Sequence, residues 1–221
     1  MTDDSIFPVR DLPAGKGSNI MVINNALPTA ATALLHLFCV DAMDDDQVSF
    51  PGRTIGGNMP NVKSTRDIVF GNRSTWTGHW SPPELRKLGF DLDALDVVIA
   101  ETVARGVRSY LEDFVHLRCV PRFRDSGYQL QRYTKGEGFY AEHVDGSPMA
   151  ESFRVLAVVI YLNTVDRGGE TLFPDHGAAV HPIAGRMAIF PAAWTHPHVA
   201  AVPLSDDKYI ISTFIYPEQK P

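Results

Sequence analysis

The chain has 221 residues, 44% of them hydrophobic and 21% charged, which is the composition of an ordinary globular domain with a well-buried core. Its net charge of -6 argues against a nucleic-acid backbone as principal partner, since that partner demands a basic face. No apolar run is long enough to cross a bilayer, so no membrane partner is expected.

The two cysteines, Cys39 and Cys119, are too few for a disulfide framework or a thiolate zinc site. The acidic start Met1-Thr2-Asp3-Asp4 lacks the apolar stretch of a secretory signal, so a reducing cytoplasm is the expected compartment.

Residues 1–18 carry Pro8, Pro13, Gly15 and Gly17 and read as a loosely held N-terminal arm ahead of a single domain over 19–221. A short strand is expected at 19–23, and Pro28 opens a helix that runs to about Val40. Residues 41–80 are irregular. They read either as a lid over a binding site or as strands whose pattern is hidden. Within them, Lys63, Arg66 and Trp80 are candidate substrate contacts, with exposed charge the nearer expectation for Lys63 and Arg66 and core aromatic for Trp80. Ser81-Pro82-Pro83-Glu84 has the form of a capping box for a short helix ending near Gly89. Asp91 then caps a longer helix, in which Leu92, Leu95, Ile99, Val103, Val107, Tyr110, Leu111 and Phe114 form one apolar stripe.

From Gly127 the pattern changes to strands, expected at 128–133, 139–144, 154–163, 187–190 and 209–216, with turns rich in Gly, Asp and Pro between them. The chain is therefore expected to be α+β and mainly β, with helices packed outside a sandwich or barrel. Arg118, Arg122 and Arg124 lie beside Glu112, Asp113 and Asp125 and read as a solvated edge.

Three groups in the last third carry chemistry: His143-Val144-Asp145, Thr195-His196-Pro197-His198, and Lys208. Side chains alternate faces along a strand, so His143 and Asp145 point the same way, roughly 6–7 Å apart at their Cα atoms. A lone His-x-Asp is weak evidence. Joined by a second histidine, it meets the needs of a mononuclear non-haem Fe(II) site, in which two histidines and a carboxylate take one face of the metal. The same ligands suit zinc. Either His196 or His198 could be the third.

The ordered motifs decide more than any one of them. Tyr133-Thr134-Lys135-Gly136-Glu137-Gly138 precedes the first pair, and the apolar run 154–163 follows it. Gly168-Gly169-Glu170-Thr171-Leu172-Phe173-Pro174, Gly185-Arg186-Met187-Ala188-Ile189-Phe190-Pro191 and Asp207-Lys208-Tyr209 come in sequence after that. Over 128–216, and more loosely back to residue 19, the chain resembles the Fe(II)/2-oxoglutarate-dependent dioxygenases of the prolyl 4-hydroxylase-like branch.

The resemblance implies a double-stranded β-helix, or jelly roll, with supporting N-terminal helices and a catalytic core at about 128–216. It implies His143, Asp145 and His198 as catalytic iron ligands, His198 standing ten residues before the basic residue Lys208. Lys208 would hold the distal carboxylate of 2-oxoglutarate, with Tyr161 as a hydroxyl donor and Tyr133 and Thr171 lining the same pocket. The implied cofactors are Fe(II), 2-oxoglutarate and O2, with ascorbate as an accessory. The implied reaction hydroxylates an unactivated C–H bond and converts 2-oxoglutarate to succinate and CO2. Because Asp145 is intact, hydroxylation is implied over halogenation. The substrate partner would be a prolyl residue of a polypeptide, or a free amino acid or small metabolite. Two alternatives are a zinc-dependent hydrolase, which leaves Lys208 and Tyr161 without a task, and a non-catalytic metal-binding jelly-roll module. Gly168-Gly169 is expected as a tight turn, and Trp194 as packing.

Overall fold

The computed structural model describes residues 17–54, 56–70, 88–120, 122–146 and 153–218. The arm through residue 16, the capping box at 81–84 and Trp80 lie outside the described residues. Two long helices are present among the described residues. α1 (Thr29–Met43) begins just after Pro28, whose fixed φ suits the entry, and runs one turn beyond the expected end. α2 (Leu92–Asp113) is capped as expected: the Asp91 side chain accepts a hydrogen bond from the Ala94 backbone N–H at 3.0 Å. Its expected stripe is buried from Leu92 to Tyr110.

Thirteen strands follow in chain order: β1 (Met21–Ile23), β2 (Phe50–Pro51), β3 (Lys63–Ser64), β4 (Arg66–Phe70), β5 (Phe123–Asp125), β6 (Tyr128–Tyr133), β7 (Phe139–His143), β8 (Leu156–Tyr161), β9 (Thr171–Phe173), β10 (Ala178–Val180), β11 (Met187–Pro191), β12 (His198–Ala200) and β13 (Lys208–Pro217). They form two antiparallel sheets in a jelly-roll-like arrangement. The larger runs β1-β11-β8-β13-β6-β4-β2, with β5 also on β13, and the smaller runs β10-β9-β12-β7-β3.

The irregular stretch 41–80 thus contains strands. β2 and β3 are only two residues long, too short to show a period. In β4, Asp67 occupies a fully buried position, which breaks the apolar pattern a strand normally displays.

The larger sheet separates two interiors. On one face, Leu156, Val158 and Ile160 of β8, Met187 and Ile189 of β11, and Tyr209, Ile211 and Ile215 of β13 pack with Leu35, Phe38 and Met43 of α1 and Ile99 and Val103 of α2. The helix seats closely because Gly106 has no side chain: a Cβ there would lie 2.4 Å from the Met187 sulfur. On the opposite face the alternate residues Tyr133, Ala157, Tyr161, Ala188, Phe190 and Ile210 meet Phe173, Ala178, Val180 and Ala200 of the smaller sheet. This second interior holds buried polar groups and a cavity of about 290 Å³.

Candidate metal centre and co-substrate cavity

β7 and β12 are antiparallel neighbours, and their register sets His143 opposite His198. Their ring centroids are 4.2 Å apart. Asp145 lies two residues beyond His143, just past the strand end, and its carboxylate turns back toward both rings. Oδ1 is 3.5 Å from His143 Nε2 and Oδ2 is 3.4 Å from His198 Nε2. The three groups offer ligand atoms within 4.8 Å of one another.

The arrangement fits a metal ion. His143 Nδ1 lies 2.8 Å from the Ala141 carbonyl and His198 Nδ1 lies 3.1 Å from the His196 carbonyl. A carbonyl can only accept, so each ring carries its proton on Nδ1 and presents a bare Nε2 lone pair. The N–O separations exceed a hydrogen bond. They approach the roughly 3 Å expected between two donors each about 2.1 Å from a shared ion. Charge agrees. Burial pushes Asp145 up, but His198, His143 and Arg154 together outweigh it and hold the carboxyl below its ordinary value. Burial lowers His198, which favours the neutral, ligating imidazole.

Neighbours fix these groups. Tyr140 stacks on the His143 ring at 3.5 Å, and Phe173 and Phe190 pack against His198. After Asp145 the chain needs glycine: the Gly146 N–H bonds the Ala192 carbonyl at 2.6 Å, and a Cβ on Gly146 would lie 2.7 Å from that oxygen. His196 is turned elsewhere. Its Nε2 bonds the Ser18 carbonyl at 2.8 Å and its Nδ1 meets Thr195 Oγ1 at 2.9 Å, so neither ring nitrogen is left for a metal.

Lys208 opens β13 opposite Tyr133 of β6. It is 1% exposed, its Nζ donates to the Gly169 carbonyl at 2.9 Å, and it lies 4.0 Å from the Tyr133 ring centre. Burial holds the ammonium down to about 7, against a smaller upward pull from Glu170. A buried amine with no ion-pair partner among the described residues is suited to an anion, whose charge would offset the cost of its burial. Tyr133, Thr171 and Lys208 line the cavity together with His143, Asp145 and His198. Tyr161 does not. It stands behind Thr171, with the two hydroxyl oxygens 2.7 Å apart, and so acts on the cavity through the threonine.

Gly168 and Gly169 have φ of +72° and +76°, as the expected tight turn requires. Two other expectations are corrected. Lys63 is not an exposed charge: it is 3% exposed, lines the cavity, and pairs with Asp67 at 2.7 Å, because β3 closes the sandwich edge beside β7. Trp194 is not packing; it is 80% exposed on the turn before β12. Arg154, which also lines the cavity, was legible only as a cation at the head of an apolar run.

The 2OG-Fe(II) oxygenase superfamily model matches residues 128–216. Solved structures share the fold at low identity. Viral collagen prolyl hydroxylase from Paramecium Bursaria Chlorella virus-1, in complex with 2OG, is 17% identical with a TM-score of 0.61, over 90% of this chain and 96% of that one. A Trichoplax adhaerens prolyl hydroxylase bound to a hypoxia inducible factor peptide is 18% identical at 0.63, over 91% and 84%. A Pseudomonas putida prolyl-4-hydroxylase is 16% identical at 0.58, over 90% and 94%. A search of the curated proteins finds no significant match. The family match falls on the strands that carry the His-Asp-His cluster, so over residues 128–216 this chain is similar to the 2OG-Fe(II) oxygenase superfamily, on a fold shared with prolyl hydroxylases.

Proposed function

We propose that the chain hydroxylates an unactivated C–H bond at the His143–Asp145–His198 cluster, with 2-oxoglutarate converted to succinate and CO2. The reading is carried by the paired Nδ1–carbonyl contacts, which aim two bare Nε2 atoms and one carboxylate at a common point. His143, Asp145 and His198 hold the ion, and their single face leaves room for reactants. Iron, 2-oxoglutarate and O2 supply the oxidising chemistry when bound.

Lys208 takes the distal carboxylate of the co-substrate. The Tyr161 and Thr171 hydroxyls share a hydrogen bond that fixes the threonine on the cavity wall, while Tyr133 walls the pocket and donates to Gln131 at 2.9 Å. The apolar walls at Ala157, Ile210 and Phe214 limit water around the reacting atoms. The two sheets then form a double-stranded β-helix, and one domain extends from about residue 19. A zinc hydrolase would leave the buried Lys208 ammonium without an anion to bind. The substrate is a prolyl residue of a polypeptide, or a free amino acid or small metabolite, met in the cytoplasm.

Mixing the pure protein anaerobically with Fe(II) and 2-oxoglutarate should produce the visible charge-transfer band of an iron-bound keto acid. A protein that binds both without the band would overturn the assignment.

A further inference from the structure

We infer that Asn163 is a positioning residue for co-substrate binding: its side-chain amide clamps the main chain on both sides of Lys208 and so holds that cation in the cavity. The inference rests on the dioxygenase reading above, in which Lys208 takes the distal carboxylate of 2-oxoglutarate.

Lys208 stands at a weak point of the sheet. It is the first residue of β13, and an irregular segment through Asp207 leads into it. Strand ends open at low free-energy cost. This end also carries a group that resists burial, since a dehydrated ammonium regains its hydration by swinging outward. Inside the cavity its Nζ meets the Gly169 carbonyl and the face of the Tyr133 ring, both neutral. The stem between Nζ and the backbone is flexible, so the ammonium is placed only as firmly as its Cα is.

The pairing that should fix this Cα runs out on one side. β6 supports one edge, with Lys208 opposite Tyr133. On the other edge β8 ends at Tyr161, opposite Ile210. One rung follows, from the Leu162 N–H to the Tyr209 carbonyl at 2.9 Å. The same register would next set Asn163 opposite Lys208, but there the chain bends away from the sheet. The Asn163 side chain completes the ladder in place of the main chain. Its Oδ1 accepts from the Tyr209 N–H at 2.9 Å, and its Nδ2 donates to the Asp207 carbonyl at 2.8 Å. The two bonds bracket Lys208. An amide carries a donor and an acceptor in one plane, as a peptide group does, which suits it to this task.

The rest of β13 is held independently. The Tyr209 ring lies edge-on to His36 of α1 at 5.0 Å, and β6 and β8 pair with the strand beyond Tyr209. Loss of the clamp therefore loosens the end that carries Lys208 and leaves the fold and the His143–Asp145–His198 cluster in place. Asn163 does not line the cavity, so it acts through Lys208.

The test titrates the whole chain, loaded anaerobically with Fe(II), with 2-oxoglutarate and separately with 2-oxobutyrate, a keto acid without the distal carboxylate. Asn163→Ala should raise the half-saturation for 2-oxoglutarate about 10-fold, while the charge-transfer band at saturation keeps its position and intensity. The titrations with 2-oxobutyrate and with Fe(II) should match those of the unaltered chain. In a Lys208→Met background the same substitution should change the half-saturation for 2-oxoglutarate by less than about twofold, because the two residues act through one contact. Equal losses for both keto acids, or in both backgrounds, mark a general structural role and overturn the inference, as does an unchanged affinity for 2-oxoglutarate. Should Asn163→Ala fold poorly, amide hydrogen exchange in the unaltered chain decides. The Tyr209 N–H should exchange about 100-fold or more slowly than the Asp206 N–H of the exposed bend, and equal rates overturn the inference. Absence of the band from the unaltered chain removes the dioxygenase reading instead.

Discussion

The two faces of the larger sheet obey opposite rules. On the helix side, the alternate residues Leu156, Val158, Ile160, Met187, Ile189, Tyr209, Ile211 and Ile215 of β8, β11 and β13 are apolar and meet the stripes of α1 and α2. On the inner side, the intervening residues share space with His198, Lys208, Gln131, Thr171 and the Lys63–Asp67 pair, all buried. β13 shows both within one strand: Tyr209, Ile211 and Ile215 face the helices, while Lys208, Ile210 and Phe214 border the cavity. The first interior gains free energy from apolar burial. The second gives some of it up, because dehydrated charges cost free energy, which a bound metal and anion would offset. Stability and chemistry are thus assigned to alternate residues of the same strands.

The sharpest way to break this division is at the cluster itself. His198→Ala should bring 2-oxoglutarate turnover below detection, whereas His196→Ala should keep it within a few-fold and cost only about 1–2 kcal/mol through the lost bond to Ser18. Turnover assays beside denaturant melts separate the two; the reverse pattern would move the third ligand.

On the helix side, Phe38 packs edge-on against Phe70 and Phe90 and has no exposed surface. Phe38→Ala should cost about 3–5 kcal/mol in urea unfolding, with co-substrate affinity of the surviving folded protein unchanged.

Lys208→Met should weaken 2-oxoglutarate binding about 100-fold and iron binding far less, measured by titration of each. It should also remove a pH dependence. In the metal-free fold Lys208 titrates near 7, against 10.5 for an ordinary lysine. Between those values the unfolded chain binds more protons, so stability rises with pH across the window, and in Lys208→Met that rise disappears. A wild-type melt that is flat over the same range would contradict it.

The smallest effect belongs to a residue far from the cavity. Asp91→Ala removes the cap of α2 and should cost about 1 kcal/mol, with no change in either titration.

Much of this was legible in the residues. The α2 stripe and its cap, and β6, β8, β11 and β13, follow from periods that backbone geometry imposes on any chain. His143, Asp145, His198, Lys208, Tyr133 and Thr171 were readable by spacing and by resemblance, and the fold gathers all six on one cavity. The strands β2, β3, β9, β10 and β12 were not. Each is two or three residues long, and their pairing is dictated by neighbours distant in sequence.

The sequence by itself determined which residue types are available, and on which strands, because alternation and ligand chemistry are local. Only the tertiary structure decided their environments. Lys63 is buried because β3 pairs with β7 beside the cavity, and Trp194 is exposed because no element of either sheet covers its turn among the described residues. Tyr161 stands behind Thr171 because β8 and β9 lie in different sheets. Arg154 comes to the His143–Asp145–His198 cluster because the Asp145 main chain folds back to meet it. Burial, charge compensation and line of sight depend on what long-range pairing sets beside a residue, which no window of neighbouring positions contains.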